Sequence, residues 1–98
     1  MGAAFGSSGE RCMAVSVVVA IGDETADALI EAFRAEIVKL KVGSFDNANN
    51  DFGPLISDEH RDRVVSLINS AEKAGASIIV DGRKPELAAG DDGFFEAV

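Results

Sequence analysis

The stretch Met13-Ala14-Val15-Ser16-Val17-Val18-Val19-Ala20-Ile21, closed by Gly22-Asp23, decides how this chain is read. A continuous apolar, β-branched run with one polar residue, Ser16, has the pattern of a strand buried on both faces. Gly22-Asp23 ends it, Asp23 is a candidate N-cap, and Glu24 would sit near the positive end of a helix dipole. From Ala26 the apolar residues Leu29, Ile30, Phe33, Ile37 and Leu40 recur with the spacing of an amphipathic helix, which turns Asp27, Glu31, Arg34 and Lys39 to water. A strand feeding an amphipathic helix opens an α/β unit.

Downstream, Gly43 to Pro54 holds Asp46, Asn47, Asn49, Asn50 and Asp51, all turn formers, and predicts a long loop facing a partner surface. Ser57 with Asp58 and Glu59 opens a second helix. Val64, Val65, Ile68 and Ala71 form its inner face, and Gly75 is its left-handed cap. Ser77 to Val80 reads as a short strand, Asp81-Gly82 as a turn, Pro85 to Asp92 as irregular, and Gly93-Phe94-Phe95 as a further extended piece running to Val98. Upstream, Met1 to Glu10 is small and glycine-rich and reads as a turn or loop. The predicted order is strand, helix, helix, strand, strand: an α/β fold in one unit spanning residues 1–98.

Composition narrows the function. Nine Lys and Arg against seventeen Asp and Glu give a net charge of −8 and a pI near 4.4, which repels phosphate backbones and anionic lipid, so neither nucleic acid nor membrane is an expected partner. The longest apolar run, Val17 to Ile21, is far too short to span a bilayer, and no secretory signal pattern precedes it. The single cysteine, Cys12, allows no intramolecular disulfide and fits a reducing compartment, the cytoplasm or, in a eukaryote, the mitochondrial matrix.

Cys12 lies between the glycine-rich segment and the apolar run, next to Arg11. Nearby positive charge and oriented N–H groups favour a reactive thiolate, whereas a lone cysteine beside a strand is also a common small hydrophobe. Spacing removes several chemistries. A phosphatase-type loop needs Arg six places after the cysteine, where Val18 stands. His60, the only histidine, falls in the solvated run Asp58-Glu59-His60-Arg61-Asp62 and reads as a surface residue. Gly6-Ser7-Ser8-Gly9 fails as a nucleophile elbow because Glu10 replaces the required glycine. No Gly-Lys-Ser/Thr phosphate loop occurs. A calcium register on Asn47, Asn49 and Asp51 puts Phe52 at the turn glycine and Asp58 at position twelve, so no metal site is expected. Asp91-Asp92 next to Gly93 reads as a turn.

The segment Phe5-Gly6-Ser7-Ser8-Gly9-Glu10-Arg11-Cys12-Met13-Ala14-Val15-Ser16 resembles the active-site cysteine signature of the aldehyde dehydrogenase superfamily. Phe52-Gly53-Pro54-Leu55-Ile56, Gly75-Ala76, Asp81-Gly82-Arg83 and Gly93-Phe94-Phe95 are similar to later family elements in the family's order. Within the superfamily, Gly9-Glu10-Arg11-Cys12-Met13-Ala14 most closely resembles the CoA-acylating methylmalonate-semialdehyde dehydrogenase branch. After Gly93-Phe94-Phe95 the family has a small residue and proline, where this chain has Glu96-Ala97.

The resemblance implies an oxidoreductase and part of a catalytic domain, with the NAD-binding domain outside these residues. It implies that Cys12 attacks the aldehyde carbon of a small semialdehyde, that NAD takes the hydride, and that the Cys12 thioester passes to CoA. It also implies that Arg11 binds the substrate carboxylate, that the backbone N–H of Cys12 serves the oxyanion, and that the full-length form is a homo-oligomer. These 98 residues by themselves are expected to be inactive. The alternative is a non-enzymatic α/β module, a remnant that pairs through the surfaces its neighbours once covered.

Overall fold

The computed structural model describes residues 1–84 and contains three helices among them. The short α1 spans Gly2–Phe5 and runs into a tight turn at Gly6–Gly9. The amphipathic α2 spans Asp23–Ile37 and α3 spans Asp58–Lys73.

Both long helices start and stop for reasons visible in their letters. The N-cap of α2 is Gly22 at φ 90°, so Asp23 is its first helical residue rather than its cap, and with Glu24 it sets negative charge at the positive end of the dipole. After Ile37 one tight turn follows, with Leu40 N–H donating to Ile37 O at 3.0 Å. The Lys41 N–H is then taken by Asp51 Oδ2 at 2.8 Å and so cannot extend the helical ladder, although the apolar spacing runs on to Leu40. In α3 the Ser57 hydroxyl accepts from His60 N–H at 3.2 Å, as an N-cap should. Its far end is a complete Schellman motif: Gly75 N–H donates to Glu72 O at 3.1 Å, and Ala76 N–H to Ala71 O at 3.0 Å. Gly75 holds φ 103°, the left-handed cap expected of it.

The predicted strand-helix-helix-strand-strand order is not what the structure has. Among the described residues the regular structure is helical, and no β-strand forms. Among the described residues two backbone hydrogen bonds involve the 13–21 run, Ala14 N–H to Arg11 O and Val15 N–H to Ala3 O, and neither belongs to a ladder. Ser77 to Val80 makes none with another described backbone group. The third expected strand, Gly93-Phe94-Phe95, lies outside the described residues, as do Pro85 to Asp92. The physical reason is that a strand is completed only by a neighbour that shares its N–H and C=O groups, while apolar β-branched letters supply only the side chains. Without that neighbour the run stays open: Val19 is 83% and Ile21 89% exposed. Among the described residues the sole β-type contact is one isolated parallel bridge between Val42 and Phe52.

That bridge closes the predicted long loop on itself. Asn50 Nδ2 donates to Ser44 O, Asn49 N–H to Asn47 Oδ1, and Asp51 N–H to Lys41 O, so the turn-forming side chains serve their own backbone. Phe52 and Leu55 at its exit are the buried apolar side chains, 9% and 3% exposed. Helices α2 and α3 do not pack on each other. An open apolar groove of about 1100 Å³ lies along α2, lined by Leu29, Phe33 and Ile37 together with Ile68, Ile78 and Val80.

Candidate active site

The segment from Gly6 to Ala14 forms a loop whose backbone does not relax into an ordinary turn. Ser7 (φ 56°), Ser8 (φ 54°) and Gly9 (φ 74°) all sit in the left-handed region. Glycine accepts this freely, but each serine is held there at a cost of roughly 1–2 kcal/mol. Such strain persists only where surrounding contacts over-determine it. Those contacts are on hand. Glu10 N–H donates to Ser7 O at 3.0 Å, and Val15 N–H reaches back to Ala3 O at 2.9 Å, tying the residues after the cysteine onto α1. Phe5 packs against Phe33 of α2 in a tilted pair, with ring centroids 6.3 Å apart. From the other side, Ser8 Oγ lies 3.4 Å from Gly53 O, and Glu10 Oε1 lies 3.0 Å from His60 Nε2 at the start of α3.

Cys12 sits at the corner of the turn closed by Ala14 N–H to Arg11 O at 3.0 Å, with its thiol exposed. The backbone N–H of Cys12 makes no hydrogen bond among the described residues. The Arg11 guanidinium folds across Gly6, where an added methyl would come 2.9 Å from its Cζ. It has no carboxylate partner among the described residues, in a chain with an excess of eight negative charges. Among the described residues the loop therefore combines an exposed thiol, an N–H donor at the same residue without an acceptor and, next to it, a planar cation without a carboxylate. A thiol is chemically able to add to a carbonyl, and N–H and guanidinium groups are able to bind an oxyanion and a carboxylate.

His60, read from sequence as a solvated surface residue, is half-buried and bound to Glu10. No local signal could show this, because Glu10 lies far away in sequence. Arg83 was also missed as an organiser. Its guanidinium donates to Asp81 Oδ1 and Oδ2 at 2.8 and 2.6 Å, to Glu72 Oε2 at 3.0 Å and to Asn69 Oδ1 at 2.5 Å, which fastens the 81–84 turn to α3. The hydrogen bonds from Arg83 hold the Asp81 carboxyl at about 2, well below its ordinary value.

Neither long helix offers its N-terminus to a phosphate. Both long helices open on acidic pairs, Asp23-Glu24 and Asp58-Glu59, which repel the phosphates that a helix start otherwise attracts. Among these residues no group of three His, Cys, Asp or Glu converges as a metal site, and no helix is long and apolar enough to cross a membrane.

The cysteine-bearing loop, its residue order and its backbone path define the class. The chain belongs to the aldehyde dehydrogenase family, whose model matches residues 1–98. It is similar to the malonate-semialdehyde dehydrogenases of Bacillus cereus, at 52% identity over 95 residues, and of Pseudomonas aeruginosa, at 45% over 95 residues; each match covers 97% of this chain and 19% of the relative. Its backbone superposes with a TM-score of 0.94 on the crystal structure of methylmalonate-semialdehyde dehydrogenase from Oceanimonas doudoroffii, at 53% identity, covering 98% of this chain and 20% of that one. A Sinorhizobium meliloti protein assigned to the same activity and crystallised with NAD gives 0.91 at 41% identity, with the same coverage. The chain thus spans about a fifth of the length of the relatives it matches.

Proposed function

We propose that this chain carries the nucleophile of an NAD-dependent, CoA-acylating semialdehyde dehydrogenase, which oxidises malonate or methylmalonate semialdehyde through a Cys12 thioester that is passed to CoA. The observation that carries the reading is the pairing of an exposed Cys12 thiol, whose own N–H has no acceptor among the described residues, with an adjacent guanidinium that no described carboxylate holds.

In this reading the Cys12 thiolate adds to the aldehyde carbon. The new C–S bond forms as the carbonyl π pair moves onto oxygen. The Cys12 N–H donates to that oxyanion, a contact worth about 3 kcal/mol in acyl-transfer sites. Arg11 receives the substrate carboxylate on its planar fork of donors and fixes which end of the semialdehyde meets the thiol. NAD would serve as the oxidant and CoA as the acyl acceptor, with the NAD-binding domain outside these residues. A reducing cytoplasm or mitochondrial matrix is the setting that keeps the thiol free. The open 13–21 run supports its being covered by further protein, either the rest of a longer polypeptide or a second copy in a homo-oligomer.

A chimera tests this: the matching 95 residues of the Bacillus cereus relative are replaced by this chain. NADH should form continuously only when semialdehyde, NAD and CoA are all present, with no more than one equivalent per site when CoA is left out, and Cys12→Ala should abolish both. A chimera that keeps its parent's size and helicity yet makes no NADH would sink the reading.

A further inference from the structure

We propose that His60 is a positioning residue for the cysteine loop. Held at the first turn of α3, it grips Glu10 and so fixes where the adjoining Arg11 and Cys12 stand relative to each other and to the rest of the molecule. The inference rests on the functional reading of Arg11 and Cys12 given above.

Three observations carry it. The loop is not self-sufficient, since Ser7 and Ser8 are both held at positive φ. It has two side-chain struts to the 53–60 region, and the one from Ser8 Oγ to Gly53 O is long at 3.4 Å, whereas His60 Nε2 to Glu10 Oε1 is 3.0 Å. The anchor end is rigid, because the backbone N–H of His60 is already bound by the Ser57 cap at 3.2 Å. Its neighbours on the same turn are otherwise engaged: Arg61 pairs with Asp58 and Asp62. Glu10 is the residue directly before Arg11, so restraint on its carboxylate passes through two peptide units to the thiol. A neutral imidazole donates from Nε2–H to the carboxylate and an imidazolium adds charge to the same contact, so the strut works in either state.

The test compares alkylation of Cys12 by iodoacetate and by iodoacetamide across the pH range. The two reagents share a leaving group and differ in carboxylate against amide. Their rate ratio therefore reads whether Arg11 is placed to receive a carboxylate at the thiol. Arg11→Ala gives the floor. His60→Ala should lower the ratio toward that floor by about two- to fivefold, the range that a half-exposed charge contact reaches. Helix content by circular dichroism should stay unchanged. His60→Gln, whose amide N–H reaches nearly as far as Nε2–H, should restore the ratio. The double variant Glu10→Ala with His60→Ala should be no worse than either single one.

If Arg11→Ala lowers the ratio while His60→Ala does not, the positioning role is overturned and the functional reading stands. An unchanged ratio in Arg11→Ala overturns the functional reading of Arg11. In that case amide exchange at residues 9–13 still reads the strut. His60→Ala should speed it and His60→Gln restore it, and exchange that His60→Ala leaves unchanged overturns the strut itself.

Discussion

The Arg11 guanidinium occupies the space that any side chain on Gly6 would need, since a methyl there would lie 2.9 Å from Arg11 Cζ. Two residues of the cysteine loop that look independent in sequence are thus coupled: the glycine makes the bed in which the cation lies. Gly6→Ala should push the flexible guanidinium aside without unfolding the loop, because the obstructing atoms are the end of a side chain and not backbone. The iodoacetate preference of Cys12 should fall by about twofold, less than in Arg11→Ala, with the iodoacetamide rate nearly constant.

Ser7 carries left-handed backbone strain at φ 56°, and its side chain makes no hydrogen bond among the described residues. Ser7→Gly should relieve that strain and raise the unfolding free energy by about 1 kcal/mol after the extra freedom glycine gives the unfolded chain, read as a higher urea midpoint. Ser7→Val should lower the midpoint instead, since a β-branched residue resists positive φ most strongly.

Gly75 supplies the positive φ that lets the Schellman motif close at the end of α3. Gly75→Ala should cost about 1 kcal/mol, seen as a lower urea midpoint followed by circular dichroism. Amide exchange at residues 75 and 76 should speed up, while the Ser57 end of the helix keeps its protection.

Asp81 has its carboxyl lowered from an ordinary 3.8 to about 2, chiefly by the side-chain hydrogen bonds from Arg83. A carboxyl whose folded value is depressed contributes stability that is fully present above the unfolded value. That contribution fades as pH falls from about 4 through about 2. A carbon-13 titration of the carboxyl should therefore find Asp81 still ionised at pH 3, and Arg83→Ala should return its midpoint toward 3.8. An Asp81 midpoint that Arg83→Ala leaves in place would remove the hydrogen bonds as the cause.

Helices α2 and α3 were legible because their signals are local. The apolar spacing of Leu29, Phe33 and Ile37, the Ser57 cap and the Gly75 stop each act within one or two turns. The error at Asp23 was a single residue, because Gly22 at φ 90° takes the cap position and leaves the aspartate to act by charge. The candidate site was legible in part. The order of residues around Cys12 carried the family, which the match over residues 1–98 shows. The left-handed path of Ser7 and Ser8 and the grip of His60 on Glu10 were not legible, since serine has no preference for that backbone and His60 meets Glu10 only through space.

By itself, then, the sequence determined the two long helices, the turns at both ends of α3, the presence of a loop in the Asn- and Asp-rich stretch and the family to which the cysteine segment belongs. Each of these rests on hydrogen bonds between residues close along the chain, or on residue order alone. Only the tertiary structure decided that the 13–21 and 77–80 runs form no ladder among the described residues, that Arg83 fastens the 81–84 turn to α3, and that His60 holds the cysteine loop. Strand pairing and contacts between distant residues depend on which groups meet across space, and the cost of bringing them together is not written in any short stretch of letters.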